Sequence, residues 1–491
     1  MSERVARVAL LAGAATLVVA LVGGFAFPDP AAAHGLVGRA DLPLPQWLLI
    51  WGASLLLIGS FAALVLGWRE PKLSGDGWRP VLPRLSSVVL SLPAQVVFGL
   101  VGVLLLALTI YTGLQGTEAP DRNFSVSFVF VTFWLGMVGL SVFLGDVFRA
   151  FNPWRAIGRA VSGGFSLVAG QRAPAPLRYP DWLGRWPAVI GLAGFLWFEL
   201  VWGQSGFSAA GVTPYDVTIA ALVYSGVTFV GMALFGVEHW IRRGETFSVY
   251  MGMFASLAPL EVRDGRIGLR KPLAGATHWI GAEAGSAALI LAAIGGTTFD
   301  GAQEGILQDS IASTFQTLSD GALSPILALR LTNTLYLALA LVAVVGIFAI
   351  GVAGMRTVGK RRSFGELSRL FAHSFIPIAL GYLVAHYFSL VAFQEQAQFT
   401  YLLSDPLGDG SDIFGTADVA IDYSVIGATA IQWVQFGAVV VGHALALALG
   451  HDRALEVSAN GKDASWSQAW MLVSTLMFST LALYLLTQAN A

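Results

Sequence analysis

The 491-residue chain contains no cysteine and little charge. The lack of cysteine excludes disulfides, thiolate metal sites, iron–sulfur clusters and a cysteine nucleophile. Only 12% of the residues are charged, whereas a soluble domain carries about 25%. The formal net charge of −2 indicates no nucleic-acid partner. Walker A, dinucleotide-binding, GxSxG and HExxH motifs are also missing, so the common nucleotide, serine-hydrolase and zincin classes have no sequence support.

Hydrophobic residues, in contrast, make up 56% of the chain. A single soluble core stops growing at about 250–300 residues, so this excess indicates a lipid bilayer as the partner. Apolar runs of about 20 residues can cross the ~30 Å hydrocarbon core as helices. We therefore predict an all-α, polytopic transmembrane helical bundle. Its ten or so spans lie near 46–67, 88–114, 124–148, 182–203, 214–240, 282–298, 331–354, 366–393, 424–449 and 466–488.

The N-terminus has the pattern of a secretory signal. Arg4 and Arg7 precede an apolar stretch, and the small residues of "AAA" at 31–33 offer a cleavage site. We predict a signal peptide, or an uncleaved signal-anchor, over 1–33 and one polytopic membrane domain over 34–491. Cleavage would leave His34 at the N-terminus, where its amine and imidazole form a chelate that suits copper.

The connections between the predicted spans alternate in charge. Every second loop is rich in arginine and lysine, and the loops between them are mostly acidic. Under the positive-inside rule the basic loops face the cytoplasm. This predicts a cytoplasmic-membrane protein with its mature N-terminus and its C-terminus outside. The basic loops are 68–87, 149–181, 241–281 and 355–365.

Two segments depart from a plain spanning helix. Residues 245–262 form an apolar stretch that is too short to cross, which favours an interfacial or re-entrant helix. The sixth span contains Gly295-Gly296, which predicts a broken helix that lines a cavity.

Ionisable residues inside a bilayer are costly and indicate function. The predicted topology places His386, Glu199, Asp300, Glu304 and His34 toward the outer face, where imidazole and carboxylate groups could bind zinc, manganese or copper.

His373 and His443 lie toward the inner face, at similar distances from the ends of their spans. They could form a metal or proton site, or simply join two helices. Haem is disfavoured because thirteen residues separate His373 from His386, which turns them about 220° apart on a helix.

Several stretches together resemble a family of actinobacterial and proteobacterial membrane proteins that is labelled fenitrothion hydrolase. They include "AHGLVGRADLPLPQWL", "GDVFRAFNPWRAIGRA", "FSVYMGMFASLAPL", "AAIGGTTFDGAQEG", "FAHSFIPIALGYLVAHYFSLVAFQEQ", "LSDPLGDGSDIFGTAD" and "VVGHALALALGHDRAL". The resemblance covers nearly the whole chain. It implies hydrolysis of an organophosphorus triester, a small-molecule substrate, through a metal-bound hydroxide. It assigns no role to any individual residue.

Two other functions fit the same residues. The paired intramembrane histidines and the glycine-interrupted sixth span are typical of an ion-coupled transporter. His34 and the histidine pairs would also suit a copper or haem electron-transfer subunit.

Overall fold

The structure is a computed structural model, and it describes residues 46–73, 75–170, 177–203, 211–281, 283–321, 323–358, 362–458 and 461–488. Over these residues it is mostly helical with very little strand, and eight helical segments are long and apolar enough to cross a membrane. The predicted all-α, multi-pass membrane fold is confirmed. The predicted signal segment 1–33 and His34 lie outside the described residues.

The first half of the described chain runs to residue 255. Its α-helices are α1 (Gln46–Gly67), α2 (Pro83–Val89), α3 (Leu92–Gln115), α4 (Phe124–Ser127), α5 (Met137–Leu144), α6 (Phe148–Phe151), α7 (Pro153–Ala169), α8 (Trp186–Trp197), α9 (Pro214–Phe235), α10 (Val237–Arg243) and α11 (Thr246–Ala255). A short 3₁₀ turn covers Pro120–Arg122, and two segments are π-helical, Phe128–Gly136 and Phe198–Trp202.

A small sheet, which the sequence did not predict, joins one strand of the first half to the first two strands of the second half. Its strands are β1 (Arg79–Pro80), β2 (Leu260–Arg263) and β3 (Arg266–Leu269), all antiparallel in the order β1-β3-β2. The later α-helices are α12 (Ala274–Ile280), α13 (Ser286–Gln303), α14 (Gln308–Ser319), α15 (Pro325–Met355), α16 (Phe364–Phe371), α17 (Ile376–Phe399), α18 (Tyr401–Ser404), α19 (Ala428–Val457) and α20 (Gly461–Gln488). A 3₁₀ turn, Ala372–Phe375, joins α16 to α17.

Each of the ten predicted spans falls on a helical segment. Eight of them match the segments that are long and apolar enough to cross a membrane. The other two differ: 182–203 falls on the shorter apolar segment Trp186–Trp202, and 282–298 falls on the 18-residue α13.

Several helices begin where the sequence supplies a cap. The side chains of Ser91, Thr213 and Ser324 each accept a hydrogen bond from a backbone N–H of the first turn, and a proline follows each of them. The side chain satisfies a backbone donor that the helix leaves unpaired, and proline lacks one such donor.

The described residues form two compact units. The first unit comprises the described residues within Met1–Gly75, Ile290–Phe393 and Asp422–Ala491, and it contains helices α1, α15, α19 and α20 and the part of α17 up to Phe393. Glycine allows α17 and α19 to approach closely, because a Cβ atom at Gly442 would lie 2.6 Å from the carbonyl oxygen of Pro377. At one end of this unit, Asp452 accepts hydrogen bonds from the Trp68 indole and from the backbone N–H groups of Lys72 and Leu73.

The second unit comprises Asp76–Leu289 and Gln394–Ile421. Its buried helix α11 packs against α5 and α8. A cluster of charge lies between α7 and α10, where Arg149 and Arg155 each contact a carboxylate oxygen of Glu238 at 3.0 Å. Burial raises the pKa of Glu238, but the charges of Arg155 and Arg149 outweigh this and hold it below its ordinary value of 4.5.

The sixth span differs from its prediction, and for 245–262 the structure disfavours the interfacial alternative but not the re-entrant one. Helix α13 runs without a break through Gly295-Gly296, and every residue from 289 to 299 is buried. Gly295 serves close packing instead, since a Cβ there would lie 2.6 Å from a methyl group of Leu341. In 245–262, the expected short helix is α11, but every residue of α11 is at least half-buried, and its chain continues into strand β2. An interfacial helix would keep one face in water, so the burial of α11 argues against a surface position.

Candidate functional site

The structure brings Asp300 and His386 into direct contact. Asp300 lies one turn before the end of α13, and His386 lies near the middle of α17. The Nε2 atom of His386 is 2.8 Å from Oδ2 of Asp300. Both residues were predicted to belong to one site, and both belong to the first unit.

Two further side chains complete the contacts of Asp300. The hydroxyl of Tyr387 donates to Oδ2 at 2.5 Å, and the Nε2 amide of Gln303 donates to Oδ1 at 2.8 Å. Gln303 is three residues after Asp300, so both lie on one face of α13. His386 and Tyr387 are consecutive and project about 100° apart on α17, which lets the carboxylate sit between their polar tips.

The site is mostly shielded from solvent. The exposed fraction is 21% for the His386 side chain and 14% for Asp300, and Tyr387 is buried. When Asp300 is ionised, all three neighbours can donate to it, which fixes the proton of His386 on Nε2 and leaves Nδ1 as the acceptor. Gly301 lies beside the ring, because a Cβ atom there would be 3.6 Å from Nδ1. The arrangement can therefore bind, hold and release a proton.

Glu304 does not join this cluster through any hydrogen bond shown in the described residues. It follows the last residue of α13, and its side chain is exposed. A catalytic zinc ion needs about three protein ligands, and the described residues contain no group of three histidine, aspartate or glutamate side chains placed to hold a metal. Both oxygens of Asp300 and the Nε2 atom of His386 are already used by hydrogen bonds. As arranged, these residues do not fit a three-ligand metal centre, and the metal site stays a prediction.

Glu199 lies in the second unit, in the π-helical segment Phe198–Trp202, where its charge acts on Tyr250. Another acidic residue of this unit contacts the other π-helical segment: Thr132 donates to Oε2 of Glu395 at 2.9 Å. The π-helical geometry was not predicted. Short π-helical segments frequently occur at functional sites because they disturb the regular hydrogen-bond ladder.

His373 and His443 are both fully buried in the first unit. The sequence analysis predicted that the two histidines lie at the same depth in the membrane, but the structure places them at different levels along α19. The residue after His373, Ser374, lies beside Gly450. Gly450 is seven residues beyond His443, or about 10 Å along α19. His443 instead lies beside Tyr382, with 6.1 Å between the ring centroids.

Sequence reasoning missed Tyr387 and Gln303. The signal for Tyr387 was its position next to His386 in an otherwise apolar run, and the signal for Gln303 was its helical spacing from Asp300. No family model, curated protein or solved structure matches the chain. The contacts among Asp300, His386 and Tyr387 are therefore the basis for the functional proposal.

Proposed function

We propose that this membrane protein is a proton-coupled transporter whose coupling proton binds at Asp300 and His386. The observation that supports the proposal is the hydrogen-bonded carboxylate–imidazole pair inside a helical unit, with the hydroxyl of Tyr387 on the same carboxylate oxygen. Ionisable groups at membrane depth are rare, and pairs of aspartate and histidine are typical of proton relays in pumps and transporters.

The chemistry of the pair suits reversible proton binding near neutral pH. Free histidine titrates near pH 6.5 and is the side chain most readily switched in the physiological range. Without the extra proton the pair carries one negative charge, and with it the pair is a neutral ion pair. Proton binding therefore removes a net charge from a shielded site. A change of this kind can shift a membrane protein between two conformations, because the cost of a buried charge differs between them.

The test uses purified protein in sealed vesicles with a trapped pH-sensitive dye. An imposed pH gradient should decay faster with the protein than in empty vesicles, and Asp300→Asn should return the decay to the empty-vesicle rate. Asp309→Asn is a matched control, because Asp309 is an exposed carboxylate in the same unit. Difference infrared spectra after a pH change should contain a shifted carboxylate band that only Asp300→Asn removes. Equal gradient decay in the wild type and in Asp300→Asn would contradict the proposal.

A second function, hydrolysis of organophosphorus triesters, is favoured by the family resemblance and by the orientation of His386. With Nε2 hydrogen-bonded to Asp300, Nδ1 could accept a proton from a water molecule as that water attacks phosphorus. A new P–O bond would form, the bond to the aryloxy leaving group would break, and the proton would pass from His386 to solvent.

Hydrolysis is tested with fenitrothion as the probe, by following release of the nitrophenolate. His386→Gln should abolish the release, and Asp309→Asn should not change it. Elemental analysis of the purified protein tests the predicted zinc, manganese or copper. No release of nitrophenolate by the wild-type protein would remove this candidate.

A further inference from the structure

The interior of the first unit contains buried polar atoms that have no hydrogen-bond partner among the described protein residues. These atoms include both ring nitrogens of His373, both amide atoms of Gln468, Nε2 of His443, and the hydroxyls of Ser389 and Ser479. All five residues are buried. Native proteins leave few such atoms unsatisfied, and those that remain are usually hydrogen-bonded to internal water.

The contacts of these residues place them at successive levels of the unit. At the first level, the position of a Cβ atom on Gly450 is 2.9 Å from Oε1 of Gln468 and 3.8 Å from Oγ of Ser374. Ser374 directly follows His373 in the 3₁₀ turn before α17. Gln468 and the His373 turn therefore both border the position of that Cβ atom.

At the second level, His443 lies beside Tyr382, whose hydroxyl donates to the carbonyl oxygen of Phe478 at 2.6 Å. Ser479, which has an unpartnered hydroxyl, is the next residue of α20. At the third level, four residues after Tyr382, is His386 in contact with Asp300. Four residues correspond to about 6 Å along the helix, and the first two levels, at Gly450 and His443, are about 10 Å apart along α19.

These levels run from one end of the unit to the proposed proton site. The first level is near the end where Arg362 donates to the carbonyl oxygen of Val457, at the close of α19. Gaps of about 6–10 Å are too long for direct hydrogen bonds, but a few water molecules about 2.8 Å apart can bridge them. The first two levels supply unpartnered donors or acceptors, which an internal water needs, and the third level is the proposed proton site itself.

We propose that internal water connects the His373–Gln468 level, through His443, to Asp300 and His386, and that protons reach the site along this path. The role in proton delivery rests on the proposed transport function. The presence of water does not, since it follows from the buried polar atoms alone.

Water contact is measured on the wild-type protein by water-edited solid-state NMR with ¹⁵N-labelled histidine and tryptophan. The ring nitrogens of His373 and His443 should receive magnetisation from water as fast as those of His239, a residue with an exposed side chain. The indole of Trp154, which is buried and donates directly to Ser225 at 2.8 Å, should lag behind and serves as the dry control. Histidine signals are assigned through single glutamine variants. Build-up at both histidines as slow as that at Trp154 would overturn the proposal.

Delivery along the path is tested with Gly450→Val, which places methyl groups where Gln468 and Ser374 meet. The nearest obstacle is the flexible end of Gln468, so the fold should tolerate the change. Gly346→Val is the matched control, because a Cβ atom at Gly346 on α15 meets nothing within 4 Å. Gly450→Val should slow proton uptake about tenfold, equivalent to about 1.4 kcal/mol of added barrier, while the shifted carboxylate band of Asp300 remains. Unchanged uptake in Gly450→Val would overturn the delivery route even with Asp300→Asn inactive. Undiminished uptake in Asp300→Asn would instead reject the transport function.

Discussion

The contact between Asp300 and His386 predicts a measurable coupling energy between the two side chains. We would replace each residue alone, as Asp300→Asn and His386→Gln, and then both together. Asparagine has nearly the same shape as aspartate, but it carries no charge and its amide N–H group would face one of the three donors that now surround Asp300. The single change therefore removes the ionic component and at least one hydrogen bond.

The size of the effect follows from the setting of the pair. A hydrogen bond to a charged group contributes about 1.5–3 kcal/mol in soluble proteins. Inside membrane proteins, coupling energies average about 0.6 and reach about 1.7 kcal/mol, because the unfolded chain also finds partners within the lipid. The pair is charged, and its side chains are only 14–21% exposed. We therefore expect a coupling energy of about 1–2 kcal/mol, at the upper end of the range for membrane proteins.

The assay is reversible unfolding in mixed micelles with increasing SDS at neutral pH, followed by tryptophan fluorescence. Each single variant should lose stability, and the double variant should lose less than the sum of the two single losses. If the two losses simply add, the side chains do not interact in the folded protein, and both functional proposals lose their geometric basis.

Three further predictions concern other contacts of the two units. Gly442→Ala should lower the free energy of unfolding by about 1–3 kcal/mol in the same assay, because the new methyl group meets the carbonyl oxygen of Pro377. Gly346→Ala, with open space around it, should leave the free energy of unfolding unchanged. Equal effects of the two changes would contradict the close packing of α17 and α19. Asp452→Ala removes the acceptor for three donors in the chain around Trp68, and it should lower the free energy of unfolding by about 2–4 kcal/mol. Trypsin should also cleave the chain near Trp68 faster. An unchanged cleavage rate would contradict the contact between Asp452 and this segment. Because the pKa of Glu238 is depressed in the folded state, its contribution to stability should be present above pH 4.5 and lost as the pH falls below that value. Glu238→Gln should therefore reduce the loss of stability at acid pH. An unchanged dependence of stability on acid pH in this variant would contradict the ion pairs of Glu238.

The sequence predicted the positions of the helices well because their cause is local. A run of about 20 apolar residues must be helical in a bilayer, since no water is present to satisfy its backbone groups. Each predicted span accordingly coincides with a helical segment. The strands β2 and β3 were missed because they are four residues long and lie within a polar connection. The continuity of α13 was missed because a glycine pair breaks a helix in one context and allows close packing in another.

The candidate site was only partly predictable, for a different reason. Charge and depth singled out His386 and Asp300, but 86 residues separate them, and their contact depends on how α13 packs beside α17. The same reasoning grouped Glu304 with them, and although Glu304 lies just beyond the end of the helix, its charge acts on both residues. Depth alone paired His373 with His443, but the levels of their neighbours along α19 differ by seven residues. Depth along one helix can be read from a sequence, whereas the neighbours on other helices require the packed structure.

The buried polar groups between the Asp300–His386 site and the end of the unit at Arg362 help to distinguish the two proposed functions. A hydrolase needs access to Asp300 and His386 from one side, and its remaining interior is most stable when it is apolar, since an unpartnered buried polar atom costs about 1–3 kcal/mol. A transporter needs access from both ends of the unit. The unpartnered atoms of His443, His373 and Gln468 lie on the route from the site to the end that carries Arg362. In a hydrolase a polar route to that end of the unit has no role, whereas in a transporter the proposed water path would provide the second access. For this physical reason, proton-coupled transport is the better-supported proposal.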